Sequence, residues 1–225
     1  MKKMREILEK VFSLLYSRFG PQHWWPGDGE LEIIVGAVLT QNTSWRNVER
    51  AIWNLKEAGL LDLDSLHKIS VEELAKLIRP SGFYRIKAAR LKELIKALVD
   101  SGGIERFKRM GIQELRGRLL EIDGIGPETA DSIALYAFGK PIFVVDAYTR
   151  RIFSRLGIFE GSDLSYQEVQ RFFMENLDHD VMKFNEYHAL LVRLGKTHCT
   201  KRDPDCPGCP LKAICSFFKE RSLCD

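Results

Sequence analysis

Leu119-Leu120-Glu121-Ile122-Asp123-Gly124-Ile125-Gly126-Pro127-Glu128-Thr129-Ala130 reads as helix, tight turn, helix. Gly124 and Gly126 permit positive φ and take Cβ atoms out of the approach path. Pro127 suits the first turn of the helix that follows. The turn therefore presents backbone N–H groups at a helix N-terminus, where a phosphate can bind whatever the base sequence. A G-x-G turn is common between helices, so by itself it leaves a plain connection equally open. Outward from it, the periodicity is helical nearly everywhere. Leu8, Val11, Phe12, Leu15 and Phe19 form one apolar stripe, Leu91, Leu94, Ile95 and Leu98 a second, and Val181, Phe184, His188 and Leu191 a third. Glycine and proline breakers separate the stripes, as at Gly20-Pro21, Pro80-Ser81-Gly82 and Gly102-Gly103. The apolar run Pro141 to Val145 is too short to establish a sheet. The expected class is all-α, with ten to twelve helices. Trp53 is expected in the core, with Ala51 and Leu55.

The 225 residues suffice for one large domain or two small ones, and at 45% hydrophobic residues a disordered chain is excluded. The net charge of +3 says little, but its distribution says more. Arg85 to Lys96 holds five basic residues and one acid, and Ile104 to Arg118 five and two. Such clusters suit a nucleic-acid footprint, although a solvated helix face explains either one alone. The first eighteen residues mix charges into their apolar positions, unlike a signal peptide, and no run approaches the roughly 20 apolar residues of a membrane span. A cytoplasmic, membrane-free protein is expected.

All five cysteines follow Arg193. Disulfides of a small secreted domain would be spread along the chain, so this crowding points to a metal or cluster site. Cys199, Cys206, Cys209 and Cys215 form C-x6-C-x2-C-x5-C within 17 residues. Ligand count admits zinc or a [4Fe–4S] cluster. A zinc ribbon usually separates two C-x2-C pairs, whereas here there is one. Cys224 is read as a free thiol.

Two further regions carry chemistry. In Phe143-Val144-Val145-Asp146-Ala147-Tyr148, Asp146 stands 20 residues after Gly126 where a helix begins. A helix N-cap would account for it fully. His23-Trp24-Trp25-Pro26 and Thr40-Gln41-Asn42-Thr43-Ser44-Trp45 are unusual runs. Gln41 and Asn42 suit a turn or cap, and the tryptophans suit core packing as readily as a binding pocket.

Taken together, the cysteine spacing and the glycine turn upstream of it resemble the endonuclease III family of helix-hairpin-helix DNA glycosylases. With Ala37 to Thr43, Arg79 to Tyr84 and Lys87-Ala88, the chain is similar to the 3-methyladenine glycosylases of endonuclease III type over about residues 20 to 157. The resemblance implies two helical lobes, one of residues 22–138 and one of residues 1–21 with 139–225, and duplex DNA lying across a cleft. It implies a [4Fe–4S] cluster on Cys199, Cys206, Cys209 and Cys215, with Lys196, Lys201 and Arg202 facing DNA. It implies a phosphate grip at Gly124, Ile125, Gly126 and Thr129, with a monovalent cation at the hairpin. Asp146 becomes the catalytic carboxylate. Gln41, followed by Asn42, fills the gap left by a flipped base, and Trp24 or Trp25 together with Trp45 stacks on that base in a pocket that includes Glu128. Bifunctional relatives carry a lysine where this chain has Glu128, so hydrolysis without strand cleavage is implied, with an alkylated purine such as 3-methyladenine as substrate and a monomer as the acting form. The alternatives are a mismatch glycosylase for thymine, uracil or adenine, a bifunctional glycosylase/lyase, and a DNA-binding module without catalysis.

Overall fold

The computed structural model describes residues 2–24, 27–159 and 164–221. Trp25 and Cys224 lie outside the described residues. Two compact units divide the chain, one of Met1–Trp24 with Pro141–Asp225 and one of Trp25–Lys140. Among the described residues there is no β-strand. Among the described residues the α-helices number thirteen, where roughly ten to twelve are expected. The excess comes from six-residue helices such as Leu63–Lys68 and Ile104–Arg109, too short to show an apolar stripe.

In the second unit, α2 (Glu30–Leu39) is buried from Ile34 through Leu39 because its sequence is apolar on every side. It packs against α3 (Trp45–Glu57), α6 (Tyr84–Asp100) and the π-helical stretch Ile133–Ala137. That stretch continues α9 (Pro127–Ser132). α8 (Ile112–Leu120) and α9 are the two arms of the glycine turn. Arg116 on α8 donates through Nε to Oδ1 of the fully buried Asp131 on α9 at 2.7 Å. Trp53 is not in the core: it is 62% exposed. The buried residues of α3 are Val48, Ala51, Ile52 and Leu55. A residue two positions from both Ala51 and Leu55 falls on the opposite side of a helix with 3.6 residues per turn.

In the first unit, α1 (Lys2–Phe19) packs on α11 (Tyr166–Asn176) and α12 (Val181–Thr197), and α10 (Ala147–Arg155) packs on α12. Tyr187 on α12 donates its hydroxyl to Leu8 O at 2.9 Å. The centre is aromatic: the Phe143 and Phe173 rings stack with centroids 4.0 Å apart, and Phe153 meets Phe173 edge-on at 4.8 Å. Phe143 belongs to the buried run 142–145, which has no regular secondary structure. With no neighbouring strand, that backbone takes its partners from side chains. Gln170 donates to Phe143 O at 2.7 Å, and Val145 N donates to the Tyr166 hydroxyl at 3.3 Å. The run ends at Asp146, which it delivers to the start of α10.

Candidate active site

Asp146 is the N-cap of α10, with φ −118° and ψ −176°. Its Oδ1 accepts from the Thr149 amide at 2.7 Å and from the Thr149 hydroxyl at 2.9 Å. This is the cap that alone would explain an aspartate here. A cap does not explain the second oxygen, which lies 3.5 Å from Nε2 of His188. Burial pushes the Asp146 carboxyl upward, but the hydrogen bonds and charge of His188 and the contacts from Thr149 outweigh it and hold the group below its usual value. Asp146 is therefore an ionised carboxylate in a nearly dry setting. Trp24, half-buried, meets the His188 ring edge-on at 6.2 Å, and the Lys196 ammonium stands 5.9 Å from the Trp24 centroid. Lys196 was expected at DNA through the cysteine loop; here it also lies over an aromatic face. Sequence alone places His188 only in the apolar stripe of α12. Its signal was a polar residue in a row of apolar ones.

α10 also holds the cysteine loop. Arg151 donates to Gly195 O at 3.0 Å and to Cys199 O at 2.8 Å, closing the end of α12. Arg155 donates to Thr200 O at 2.7 Å and to Cys199 Sγ at 3.2 Å. Cys206 and Cys209 sit in a turn closed by Cys209 N to Cys206 O at 3.2 Å, and Asp205 Oδ1 accepts from Gly208 N at 3.1 Å. All four cysteines line one small cavity of about 20 Å³, walled by Phe217 and Phe218. Among the described residues, no three Cys, His, Asp or Glu side chains are grouped so as to hold a single metal ion. Burial pushes the Cys209 thiol up to about 11, and the neighbouring cysteines add to the rise. Lys201 and Arg202 are exposed on the same loop.

The second unit carries the other expected residues. Gly124 has φ +80°, and a Cβ there would lie 2.3 Å from Cγ of Arg90. The expectation of positive φ fails at Gly126, which has φ −85° and ψ 175°. Nothing lies within 4 Å of a Cβ built on Gly126, so neither backbone strain nor packing inside the unit calls for glycine there. Gln41 is tied to the turn: Nε2 donates to Thr129 Oγ1 at 2.9 Å and to Gly124 O at 3.3 Å, while Oε1 accepts from Arg90 at 2.6 Å. Asn42 follows, exposed and left-handed at φ 52°. Trp45 opens α3 and is half-buried, and Glu128 is exposed on the first turn of α9. Lys87 is buried and donates to Leu39 O at 2.8 Å and Ser81 O at 2.7 Å. Burial, with Arg90 nearby, lowers its amine to about 8.

The family model for HhH-GPD superfamily base excision DNA repair proteins matches residues 35–179. A protein of Methanocaldococcus jannaschii that bears the provisional name DNA repair glycosylase is 45% identical over 213 residues, covering 93% of this chain and 96% of its own. Among solved structures, a 3-methyladenine DNA glycosylase of H. pylori bound to 1,N6-ethenoadenine is similar at TM-score 0.74 and 33% identity, covering 86% of this chain and 97% of its own. An endonuclease III in a non-covalent complex with DNA is similar at TM-score 0.83 and 25% identity, covering 97% and 98%.

Proposed function

This chain belongs to the HhH-GPD superfamily of base excision DNA repair proteins, and we propose that within it the chain is a monofunctional glycosylase releasing alkylated purines such as 3-methyladenine from duplex DNA. It is a DNA glycosylase, an enzyme acting on DNA. The observation that carries the glycosylase chemistry is Asp146, a buried carboxylate held below its usual value with one oxygen outside the α10 cap. When an N-glycosidic bond breaks, its electron pair leaves with the base and positive charge develops on the sugar. A fixed anion at low dielectric stabilises that charge and orients the water that adds to C1′. A purine methylated at N3 is already cationic and departs neutral, so no general acid is required. Similarity to the H. pylori 3-methyladenine glycosylase supports this class of substrate.

The monofunctional reading rests on Glu128 in place of an amine. A carboxylate forms no Schiff base with the sugar, and water is then the nucleophile. Lys140 donates its ammonium to Lys108 O at 2.9 Å, and Lys87 is held between two carbonyls. The test is base-release chromatography over duplexes containing 3-methyladenine, ethenoadenine, or mismatched thymine and uracil, run with borohydride and with later alkali. We expect methylpurine release, no trapped adduct, and strand breakage only after alkali. Efficient trapping would restore the bifunctional reading and turn attention to Lys140 and Lys87. Release of mismatched pyrimidines alone would give the mismatch reading.

The four cysteines line one small cavity, and their spacing, with a single C-x2-C pair inside 17 residues, supports a [4Fe–4S] cluster over one zinc ion. Cys199, Cys206, Cys209 and Cys215 would hold it, and its cationic irons would reverse the rise that burial imposes on the Cys209 thiol. Such a cluster supplies a structural cross-link. This chain's own part is Arg155 on Cys199 Sγ and the basic residues Lys201 and Arg202 on the loop it orders.

In this reading the Gly124–Gly126 turn takes a DNA phosphate on its backbone amides. Gly126, with open space around it, is the place for that approach. Gly126→Ala should leave the melting temperature unchanged or slightly raised, since its φ suits alanine. Affinity for an abasic duplex should fall roughly tenfold, the worth of one hydrogen bond to a charged group. Unchanged affinity in a binding titration would remove the turn from the DNA contact.

A further inference from the structure

We propose that His188 is a positioning residue for Asp146, holding the one carboxylate oxygen that the α10 cap leaves open and fixing where it stands when the glycosidic bond breaks. The inference rests on the catalytic reading of Asp146 and adds a second residue to it. Oδ1 is committed to the Thr149 amide and hydroxyl. Oδ2 is the oxygen with room to act, and His188 Nε2 is 3.5 Å from it. Both residues are more than nine-tenths buried, at 9% and 6% exposure. An Nε2–H donor serves in the neutral ring and in the imidazolium alike.

The surroundings argue that the imidazole is there for this contact. His188 occupies an α12 position between Phe184 and Leu191, both fully buried, where leucine would pack well. Burying a polar ring in such a row is unfavourable unless a partner compensates it. α10 and α12 also approach closely, since a Cβ on Gly195 would lie 2.3 Å from the Tyr148 ring. The His188 ring is steadied by the edge-on contact with Trp24. A carboxylate capped on one oxygen alone can still pivot about its Cβ–Cγ bond, and a donor on the other oxygen removes that freedom.

The experiment measures single-turnover release of 3-methyladenine from duplex DNA, together with abasic-duplex affinity and melting temperature, for His188→Leu, His188→Gln, Asp146→Asn and the double variant Asp146→Asn/His188→Leu. We expect His188→Leu to slow release at least tenfold with abasic-duplex affinity unchanged. His188→Gln, which keeps an amide donor near Nε2, should recover most of the rate. In the Asp146→Asn background, His188→Leu should add little, because its effect runs through the carboxylate. Full-rate release by His188→Leu, a glutamine variant as slow as leucine, or an undiminished leucine effect in the Asp146→Asn background would each overturn the proposal. Should the leucine variant not fold, His188→Phe, which preserves the aromatic edge against Trp24 and lacks the donor, takes its place with the same readings. The two readings fail separately. Wild-type release by Asp146→Asn would end the catalytic assignment itself, whereas loss of release in Asp146→Asn with none in His188→Leu would end only the inference.

Discussion

Asp146→Asn should slow base release by roughly 10²-fold or more, the scale of a lost preorganised electrostatic group, while the protein keeps its fold and its grip on abasic DNA. The substitution separates the two duties of the residue. Asparagine is as good an N-cap as aspartate, and its side-chain oxygen can still accept from the Thr149 amide and hydroxyl. The start of α10 should therefore survive, and with it the anchoring of the cysteine loop by Arg151 and Arg155. What is lost is the negative charge. That charge persists in a buried place because His188 and Thr149 outweigh the effect of burial. Single-turnover release on a 3-methyladenine duplex, compared with the melting curve and an abasic-duplex titration, reads both duties at once. Near-normal release would reduce Asp146 to a cap, and a large drop in melting temperature would mean that the fold had been lost with the charge.

The stripes that define α1, α6 and α12 were legible because each repeats over several turns, and the clustered cysteines were legible because four thiols within 17 residues have few uses. Other features depend on contacts far apart in the chain. Nothing local in Pro141 to Val145 says that this run can be buried without a sheet; the answer lies in Gln170 and Tyr166, which take up Phe143 O and Val145 N. The link from Gln41 to Thr129 and Arg90 likewise spans more than one helix and has no sequence signature. His188 was hidden by its own regularity, since a histidine in step with Phe184 and Leu191 reads as packing. Trp53 is the opposite case: its hydrophobicity points to the core, while helical phase puts it on the exposed side of α3. Gly126 shows a third kind of limit. A pair of glycines suggests one shared conformational need, yet Gly124 meets that need alone, and the openness at Gly126 becomes visible only in three dimensions.

Cys209→Ser should have the widest effect, because the cysteine loop and Asp146 are attached to the same helix. α10 has nine residues. Its N-cap is Asp146, and its later turns carry Arg151 and Arg155, which hold Gly195, Cys199, Thr200 and Lys201. A cluster on the four cysteines would fix the far side of those contacts, and Phe217 would be held where it meets the Arg155 guanidinium at 4.8 Å. Serine in place of Cys209 removes the most perturbed thiol of the set. Without the cluster, the guanidinium groups of Arg151 and Arg155 reach only as far as Lys201, and the small cavity among the cysteines is left to collapse or fill with water. Loss of a structural metal centre belongs to the mutations costing on the order of 4 kcal/mol or more. We expect the purified wild type to be brown and to contain iron. The Cys209→Ser protein should be pale, should melt at a clearly lower temperature, and should bind duplex DNA more weakly as Lys201 and Arg202 lose their fixed places. Base release should fall as well, in step with the loss of order at α10. A colourless wild type carrying one zinc ion per chain would end the iron assignment. A Cys209→Ser protein that melts, binds and releases base like the wild type would show that α10 keeps Asp146 in place without help from the loop.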